Sequence, residues 1–417
     1  MKIELHLLQN FPPSNLNRDD SGAPKDCEFG GYRRARVSSQ CFKRASRRYF
    51  QTGIRTKHLI TQIAQYLLQN DEIADEEAKG ISRVFVQWLL PGKDGTKKVR
   101  NKKIENNETS YLTFFGPEEI EDVGKALDAM LPQLLPLIRN ELATQQEVES
   151  AANKDEAKDA LTKLTSAREA LDKVIRKHAD EFKDRHKGRV RALDIALFGR
   201  MLADSPEINI DASVQVAHAL STNRIAQDFD YFTAIDDFPQ EGDSGADMIG
   251  TVPFNSACYY RYTCVDAQML AENLGGKKTP DRGAAREGVG AFLRAFIQAV
   301  PSGKQNSFSA QMRPSLVMAV VRPESQPLSL ANAFEKPARP DGETSLTAAS
   351  VARLAQHWAA LKKMYPDDAY GYFALLDGTG DPTALTATRL EDVASADAVV
   401  NRVLNDLDRW QVGEAKV

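Results

Sequence analysis

The chain has 417 residues, 42% hydrophobic and 27% charged, an ordinary globular balance with room for two or three domains or one core with large insertions. A formal net charge of −4 by itself argues against a polyanion binder. No apolar run approaches the roughly 18 residues that span a bilayer, and Met1-Lys2-Ile3-Glu4 opens no secretion signal, so a cytoplasmic protein with no membrane partner is expected.

Ile3 to Leu8 alternates as a strand, which Phe11-Pro12-Pro13 is expected to break. A loop rich in turn residues follows, with Asn15, Asn17, Asp19, Asp20, Gly22 and Pro24. Gly30-Gly31 permits close backbone approach, and Arg34 to Val37 reads as a short strand. Ser38-Ser39 reads as the N-cap of a helix holding Gln40, Lys43, Arg44, Arg47 and Arg48.

Charge is concentrated here. Nine Lys or Arg and no Asp or Glu lie between Gly31 and Lys57, seven of them within Arg33 to Arg48. Lys43/Arg47 and Arg44/Arg48 are like-charge i,i+4 pairs, each costing roughly 0.2–0.5 kcal/mol in an isolated helix. Residues 1–60 hold 12 cations against 5 carboxylates, a local +7, which leaves −11 for the rest. That distribution outweighs the net charge and points to a localised anion site on an acidic body. A solvated basic face, or one paired with acids elsewhere in the fold, is the plainer reading; nucleic acid is favoured.

Residues 56–79 predict a second helix, and Ser82 to Leu90 fits a strand or a buried helix. The polar, lysine-rich stretch 91–107 predicts an exposed loop. From Pro117 to Phe198 the pattern is helical, with Leu161, Leu164, Leu171, Val174 and Ile175 as the apolar stripe of a scaffolding hairpin arm. Aromatic residues gather between Phe229 and Phe238, a tract with Gly242, Gly245 and Gly250 follows, and Ser256 to Val265 predicts a central strand. Strand, loop, strand reads as a hairpin-like excursion with a mobile tip. Helices at 281–300, 350–364 and 391–410 and a buried strand at 315–322 complete an α+β pattern. The cysteines, Cys27, Cys41, Cys258 and Cys264, lack zinc spacing and read as small buried hydrophobes in a reducing compartment.

The string LHLLQNFPPSNLNRDDSGAPKDCEFGGYRRARVSSQCFKRASRR resembles the N-terminus of the CasC family, the backbone subunit of type I-E CRISPR Cascade complexes. LDIALFGRML (193–202), VAHALST (216–222), DFDYFTAIDDF (228–238), ACYYRY (257–262) and PLSLANAFEK (327–336) continue it in order, while 91–110 and 140–186 are longer and more charged than the pattern. The resemblance implies a modified RNA-recognition (ferredoxin-like) palm, a helical fingers insertion and a β-hairpin thumb. The palm would use residues 1–60, 193–224 and 257–417, the fingers 61–192 and the thumb 225–256. The implied function is a non-catalytic subunit that polymerises along CRISPR RNA and presents its spacer to target DNA. Its partners would be that RNA, the target strand, further copies of itself and other Cascade subunits.

By the same resemblance Lys25, Ser38, Gln40, Lys43, Arg44 and Arg47 grip the RNA backbone, with Arg18 close by. Arg200 and Met201 match the position that wedges against bases, and Tyr231, Phe232 and Thr233 match the thumb. Taken as residues alone, Met201 fits a core methionine equally well, and so do the aromatics a core cluster. Asp19-Asp20 could hold a divalent cation and cleave RNA, although such pairs more often cap turns. Asp236-Asp237 is the weaker candidate of this kind. GGKKT (275–279) lacks P-loop spacing, and the six histidines fall in no motif, so neither a cofactor nor a metal is expected.

Overall fold

The computed structural model describes residues 1–91, 107–235, 237–238 and 246–411. The expected lysine-rich loop and the tract around Gly242 and Gly245 therefore fall largely outside the described residues, as does Asp236. In chain order the elements begin β1 (Lys2–Ser14), β2 (Asp26–Phe29), β3 (Tyr32–Val37), α1 (Ser39–Arg47), β4 (Ile54–Thr56), α2 (Leu59–Leu67), α3 (Asp75–Leu89), β5 (Thr113–Phe115), α4 (Pro117–Asp128), α5 (Leu131–Ser150), α6 (Lys154–His186) and α7 (Leu193–Phe198). There follow β6 (Val214–Val216), β7 (Ala219–Ser221), β8 (Asp228–Ile235), β9 (Ala246–Asp266), α8 (Ala267–Gly275), α9 (Arg282–Gln298), α10 (Gln305–Phe308) and β10 (Leu316–Arg322). The chain ends with α11 (Leu346–Met364), β11 (Tyr370–Leu375), α12 (Thr383–Thr386), β12 (Leu390–Asp392) and α13 (Ala396–Gln411). This is a mixed α/β fold with a large sheet. Among the described residues no helix is long and apolar enough to cross a membrane.

Two units divide it. The first takes Met1–Gln51, Val214–Leu270 and the chain from Arg282 onward; the second takes Thr52–Ser213 and Ala271–Asp281.

The first unit is built on a ten-stranded sheet in the order β12-β11-β10-β1-β9-β7-β3-β2, with β6 and β8 also paired to β9. Seven consecutive residues of β10 are buried, as are Ile3 to Gln9 of β1, which marks strands covered on both faces. Strand β1 does not stop at Pro12-Pro13 as the sequence suggested. It runs on to Ser14, and its register with β9 shifts between Phe11 and Ser14. Proline has no N–H for the ladder, so both prolines face outward in an irregularity of the pairing rather than ending it. Of the cysteines, Cys258 and Cys264 are buried, while Cys27 and Cys41 are half-buried.

Buried cations tie this unit together. Arg34, inside the basic stretch, is fully buried. It donates to the carbonyls of Ser221 (2.8 Å), Thr222 (3.1 Å), Phe334 (2.5 Å) and Glu335 (3.0 Å), joining β3 to β7 and to the segment before α11. Its neighbour Arg33 is exposed and pairs with Asp26 across the β2–β3 hairpin. At the other side of the sheet Arg322 pairs with Glu4, and Tyr262 donates to the same carboxylate at 2.6 Å.

The second unit is helical around a core from α2 to α6 and the segment after α7. Residues 56–79 form two helices rather than one, because Asn70 Oδ1 accepts from Glu72 N–H (3.1 Å) and turns the chain. Helix α3 restarts with Asp75, Glu76 and Glu77 in its first turn, where the helix dipole favours carboxylates, and it absorbs Ser82 to Leu89 as buried helix. In α6 the buried stripe is Ala160, Leu164, Ala167, Leu171, Ile175, Ala179 and Phe182 at three- and four-residue spacing, whereas Leu161 faces solvent. Gly124 of α4 is required by close approach, since a Cβ there would overlap the Tyr66 ring.

Arg200 crosses this unit's interior. It donates to Glu119 Oε1 and Oε2 (2.9 and 2.7 Å), to Ile208 O (2.8 Å) and to Phe114 O (3.2 Å), and its guanidinium lies over the Phe115 ring. Glu119 also accepts from Gly116 N–H at 2.8 Å, closing the start of α4. Gly199, at φ 80°, makes the turn into Arg200; a Cβ there would meet Ile210 O at 2.9 Å.

Neighbouring residues should therefore differ sharply in urea unfolding. Arg34→Ala removes a donor from four backbone carbonyls, of which Thr222 O keeps the Ala338 N–H (2.8 Å), and should cost on the order of 3 kcal/mol, against about 0.5 kcal/mol for Arg33→Ala. Arg200→Ala strands the buried Glu119 and should cost roughly 3–5 kcal/mol, while Met201→Ala stays within about 0.5 kcal/mol. Equal losses within either pair would contradict these assignments.

Candidate nucleic-acid interface

Helix α1 is held to the first unit by one face. Phe42 is buried against Phe296 of α9, with ring centroids 6.1 Å apart. The buried Arg261 guanidinium lies over both rings, 4.1 and 4.5 Å from their centroids, and donates to Gln9 Oε1 and Phe296 O at 2.5 Å each. Burial lowers the pKa of that guanidinium to about 9. Ser46 Oγ donates back to Phe42 O (2.9 Å), so this inward hydroxyl is satisfied.

The helix start differs from the expected cap. Ser38 occupies the N-cap position, but its side chain makes no capping bond. Instead its N–H donates to Asn17 Oδ1 (2.9 Å), which fastens the 14–25 loop to the helix entrance. Asn15 Nδ2 donates to Gly22 O (3.0 Å) and Pro253 O (2.9 Å), and Lys25 N–H donates to Asn17 O (2.8 Å). Gly303 approaches the same loop where a side chain would collide with the Leu16 and Asn15 carbonyls.

Between loop, helix and the segment Val300–Gly303 lies a cleft of about 760 Å³. Arg18, Arg44 and Arg48 bring three guanidiniums to it, and Tyr49 lines it as well with its ring exposed. Of the residues singled out in the sequence, Arg18 and Arg44 meet here, and the carboxylate pair Asp19-Asp20 lines the same cleft. Arg48 and Tyr49 join them, and the i,i+4 step from Arg44 was the signal for Arg48. Lys43 and Arg47 stand half-buried on the flanks, and burial lowers the Lys43 ammonium below its ordinary value. Gln40 is exposed on the first turn.

Lys25 sits apart from the cleft, in a group of cations on the sheet. Arg36 N–H donates to Lys25 O (2.9 Å), and the Arg36 guanidinium lies 2.9 Å from His218 Nδ1. Burial, then the Arg36 and Lys25 charges, depress the His218 imidazole.

Asp19 is a turn residue here. Its Oδ1 accepts from Ser21 Oγ (2.7 Å), Ser21 N–H (3.0 Å) and Ala23 N–H (3.0 Å), and these bonds, the serine hydroxyl foremost, hold its carboxyl below the usual range. Among the described residues no three His, Cys, Asp or Glu side chains are grouped to hold a metal.

Strands β8 and β9 form an antiparallel hairpin in which Tyr231 faces Thr251 and Phe232 faces Gly250. Every residue of β8 is exposed, Tyr231 at 63% and Phe232 at 42%. Because side chains alternate along a strand, Tyr231 and Thr233 share one face with Phe229 and Ile235, while Phe232 lies on the other. The aromatics are not a core cluster, nor do the two adjacent rings make one platform.

Arg200 and Met201, in the second unit, part company. The Arg200 guanidinium is wholly enclosed and paired with Glu119, so it makes no direct contact with an external ligand, contrary to the expectation from FGRM. Met201 is 83% exposed.

The chain is similar over its length to proteins of known structure. One, from a "CRISPR RNA-guided surveillance complex, pre-nicking", is 29% identical with a TM-score of 0.75, covering 98% of this chain and 100% of that one. Another, from a "CRISPR RNA-guided surveillance complex", is 26% identical with a TM-score of 0.65, covering 97% of this chain and 99% of that one. A search of curated proteins gives no match. The family model Cas_CT1975, described as CT1975-like protein, matches residues 3–402. The chain therefore belongs to the Cas_CT1975 family of CT1975-like proteins, the CasC-like group that its strings resemble.

Proposed function

We propose that this chain is a non-catalytic CRISPR RNA-binding backbone subunit of a type I-E Cascade-like surveillance complex. Several copies polymerise along one guide, and the spacer is displayed for pairing with target DNA. The observation that carries the reading is a cleft edged by Arg18, Arg44 and Arg48 in a chain that matches a surveillance-complex subunit from end to end. Guanidinium contacts to phosphates fix register along a strand without reading sequence, which suits a subunit that must hold any guide. Base pairing then supplies the specificity.

In this reading the modified RNA-recognition palm comes mostly from the first unit, the helical fingers come from the second, and β8–β9 is the thumb. Exposed aromatics on both faces suit a hairpin that meets a base on one side and a neighbouring copy on the other. Base stacking is worth roughly 1–3 kcal/mol and tolerates any sequence. Head-to-tail contacts that do not close generate a helical filament, which the guide's length would end. Asp19, whose Oδ1 is held by three bonds within the turn, supports assigning target cleavage to a different protein.

The direct experiment is to purify the chain from cells that carry a CRISPR array and sequence the accompanying RNA. Uniform repeat-spacer RNA in an oligomeric fraction is expected; random cellular RNA or none, even with partner subunits supplied, would remove the proposal. Arg44→Glu with Arg48→Glu should abolish RNA retention while leaving the melting curve in place, since both side chains are exposed. Tyr231→Ala and Phe232→Ala should each change folding stability by less than about 1 kcal/mol yet shorten the assemblies seen by native mass spectrometry. Full-length assemblies in both variants would refute the thumb assignment.

A further inference from the structure

The β8–β9 hairpin leaves the sheet at a sharply defined point. Ser14, the last residue of β1, pairs with Asn255, and from Phe254 outward β9 has only β8 beside it. A two-stranded ribbon is weakly held by its own pairing, and every residue of β8 is exposed. What sets its direction must therefore lie at its base.

Asn15 follows the end of β1 and is fully buried. Its Nδ2 donates to Pro253 O on the hairpin (2.9 Å) and to Gly22 O in the loop that lines the α1 cleft (3.0 Å). Among the described residues Asn15 Oδ1 has no hydrogen-bond partner, so these two bonds orient the amide. Both acceptors are carbonyls, which only the NH2 end can serve. One side chain thus spans the hairpin and the cleft wall. Asn17 ties the same loop to α1 by accepting from Ser38 N–H (2.9 Å).

A second brace comes from the segment that continues Val300–Gly303. There α10 sets Phe308 against Phe254, with ring centroids 5.6 Å apart. Lys304 and Ser309, at the two ends of α10, lie at φ 48° and 46°. That conformation is costly for a residue with a side chain and persists only where its surroundings impose it. Gly303 abuts the Asn15 and Leu16 carbonyls before α10, and Gln9 Nε2 donates to Met312 O (2.7 Å) after it. Gln9 in turn accepts from Arg261, which packs beneath α1.

We propose that Asn15 is a positioning residue, which fixes the direction of the β8–β9 hairpin relative to the α1 cleft so that the two move as one body. A plain anchor of the 14–25 loop would need the bond to Gly22 and not the one to Pro253. In the guide-strand reading, on which this clause rests, the same direction sets the interval at which successive copies hold the RNA.

The test is pulsed electron spin resonance on the full-length chain, with labels on unnatural amino acids at the exposed positions Gln40 of α1 and Ile235 of β8. The wild-type chain should give one narrow distance distribution. Asn15→Ala should roughly double its width, since a ribbon freed at its base has little else to hold it. Phe308→Ala should do the same without touching the 14–25 loop, and it decides the matter if Asn15→Ala does not fold. In complexes purified with partner subunits, each variant should lose the regular ladder of nuclease protection, Phe308→Ala with its RNA still bound. Unchanged distance distributions would overturn the proposal, and loss of RNA with unchanged distances would make Asn15 an anchor of the loop alone. A broadened distribution with an intact ladder would overturn the role in spacing. A wild-type chain that never carries RNA, yet broadens on Asn15→Ala, would support the positioning role and remove only the guide-strand reading.

Discussion

Strand β9 is the constraint on which the first unit depends. It spans Ala246–Asp266, and its second half pairs with β1 from Ser14 back to Lys2. The same strand holds β6 and β7, and its first half pairs with β8 alone. One uninterrupted run of backbone therefore serves as the middle of a covered sheet and, further back, as one arm of an exposed hairpin. The two roles call for different side chains. Cys258, Tyr260, Tyr262 and Cys264 are buried, whereas Met248 and Ile249 stand in solvent. The burial pattern changes along β9 while the strand itself continues, so the hairpin inherits its position from the sheet.

The cations of the basic stretch show how far charge can be read from a sequence. Nine of them without an acid suggested a single exposed surface. In three dimensions Asp26 answers Arg33 across a hairpin, and Arg34 is consumed by backbone carbonyls that the strand ends and the Phe334 segment leave open. Arg44 and Arg48 alone of the i,i+4 pairs look fully outward. What anchors the helix despite its like charges lies on its hidden side, where the Arg261 guanidinium packs against both the Phe42 and the Phe296 rings, which also touch each other. Nothing local to Phe42 announces a partner more than two hundred residues away.

Legibility varied with the range of the interaction. Strands with continuous apolar runs, such as Leu316–Arg322, and helices with three- and four-residue spacing were apparent because their signal is local. The prolines of β1 misled because the rule against them assumes a regular ladder, and an irregular pairing with β9 relaxes it. Ser82 to Leu90 stayed ambiguous because a run buried on most sides looks alike as strand or helix. Arg200 misled for the opposite reason: the resemblance placed it with Met201 against the bases, and the buried carboxylate that claims it comes from Glu119, eighty-one positions earlier.

The hairpin holds one further consequence. A Cβ on Gly250 would sit 2.6 Å from Phe232 Cζ, so the tip of the ring rests on bare backbone where any other residue would displace it. An aromatic resting on glycine has given up much of its rotational freedom at the moment of folding. Whatever docks on that face meets a ring already ordered, and the entropy normally lost on immobilising a side chain has been charged to the folding step instead. The absence of a side chain at one position thus restrains the side chain at another.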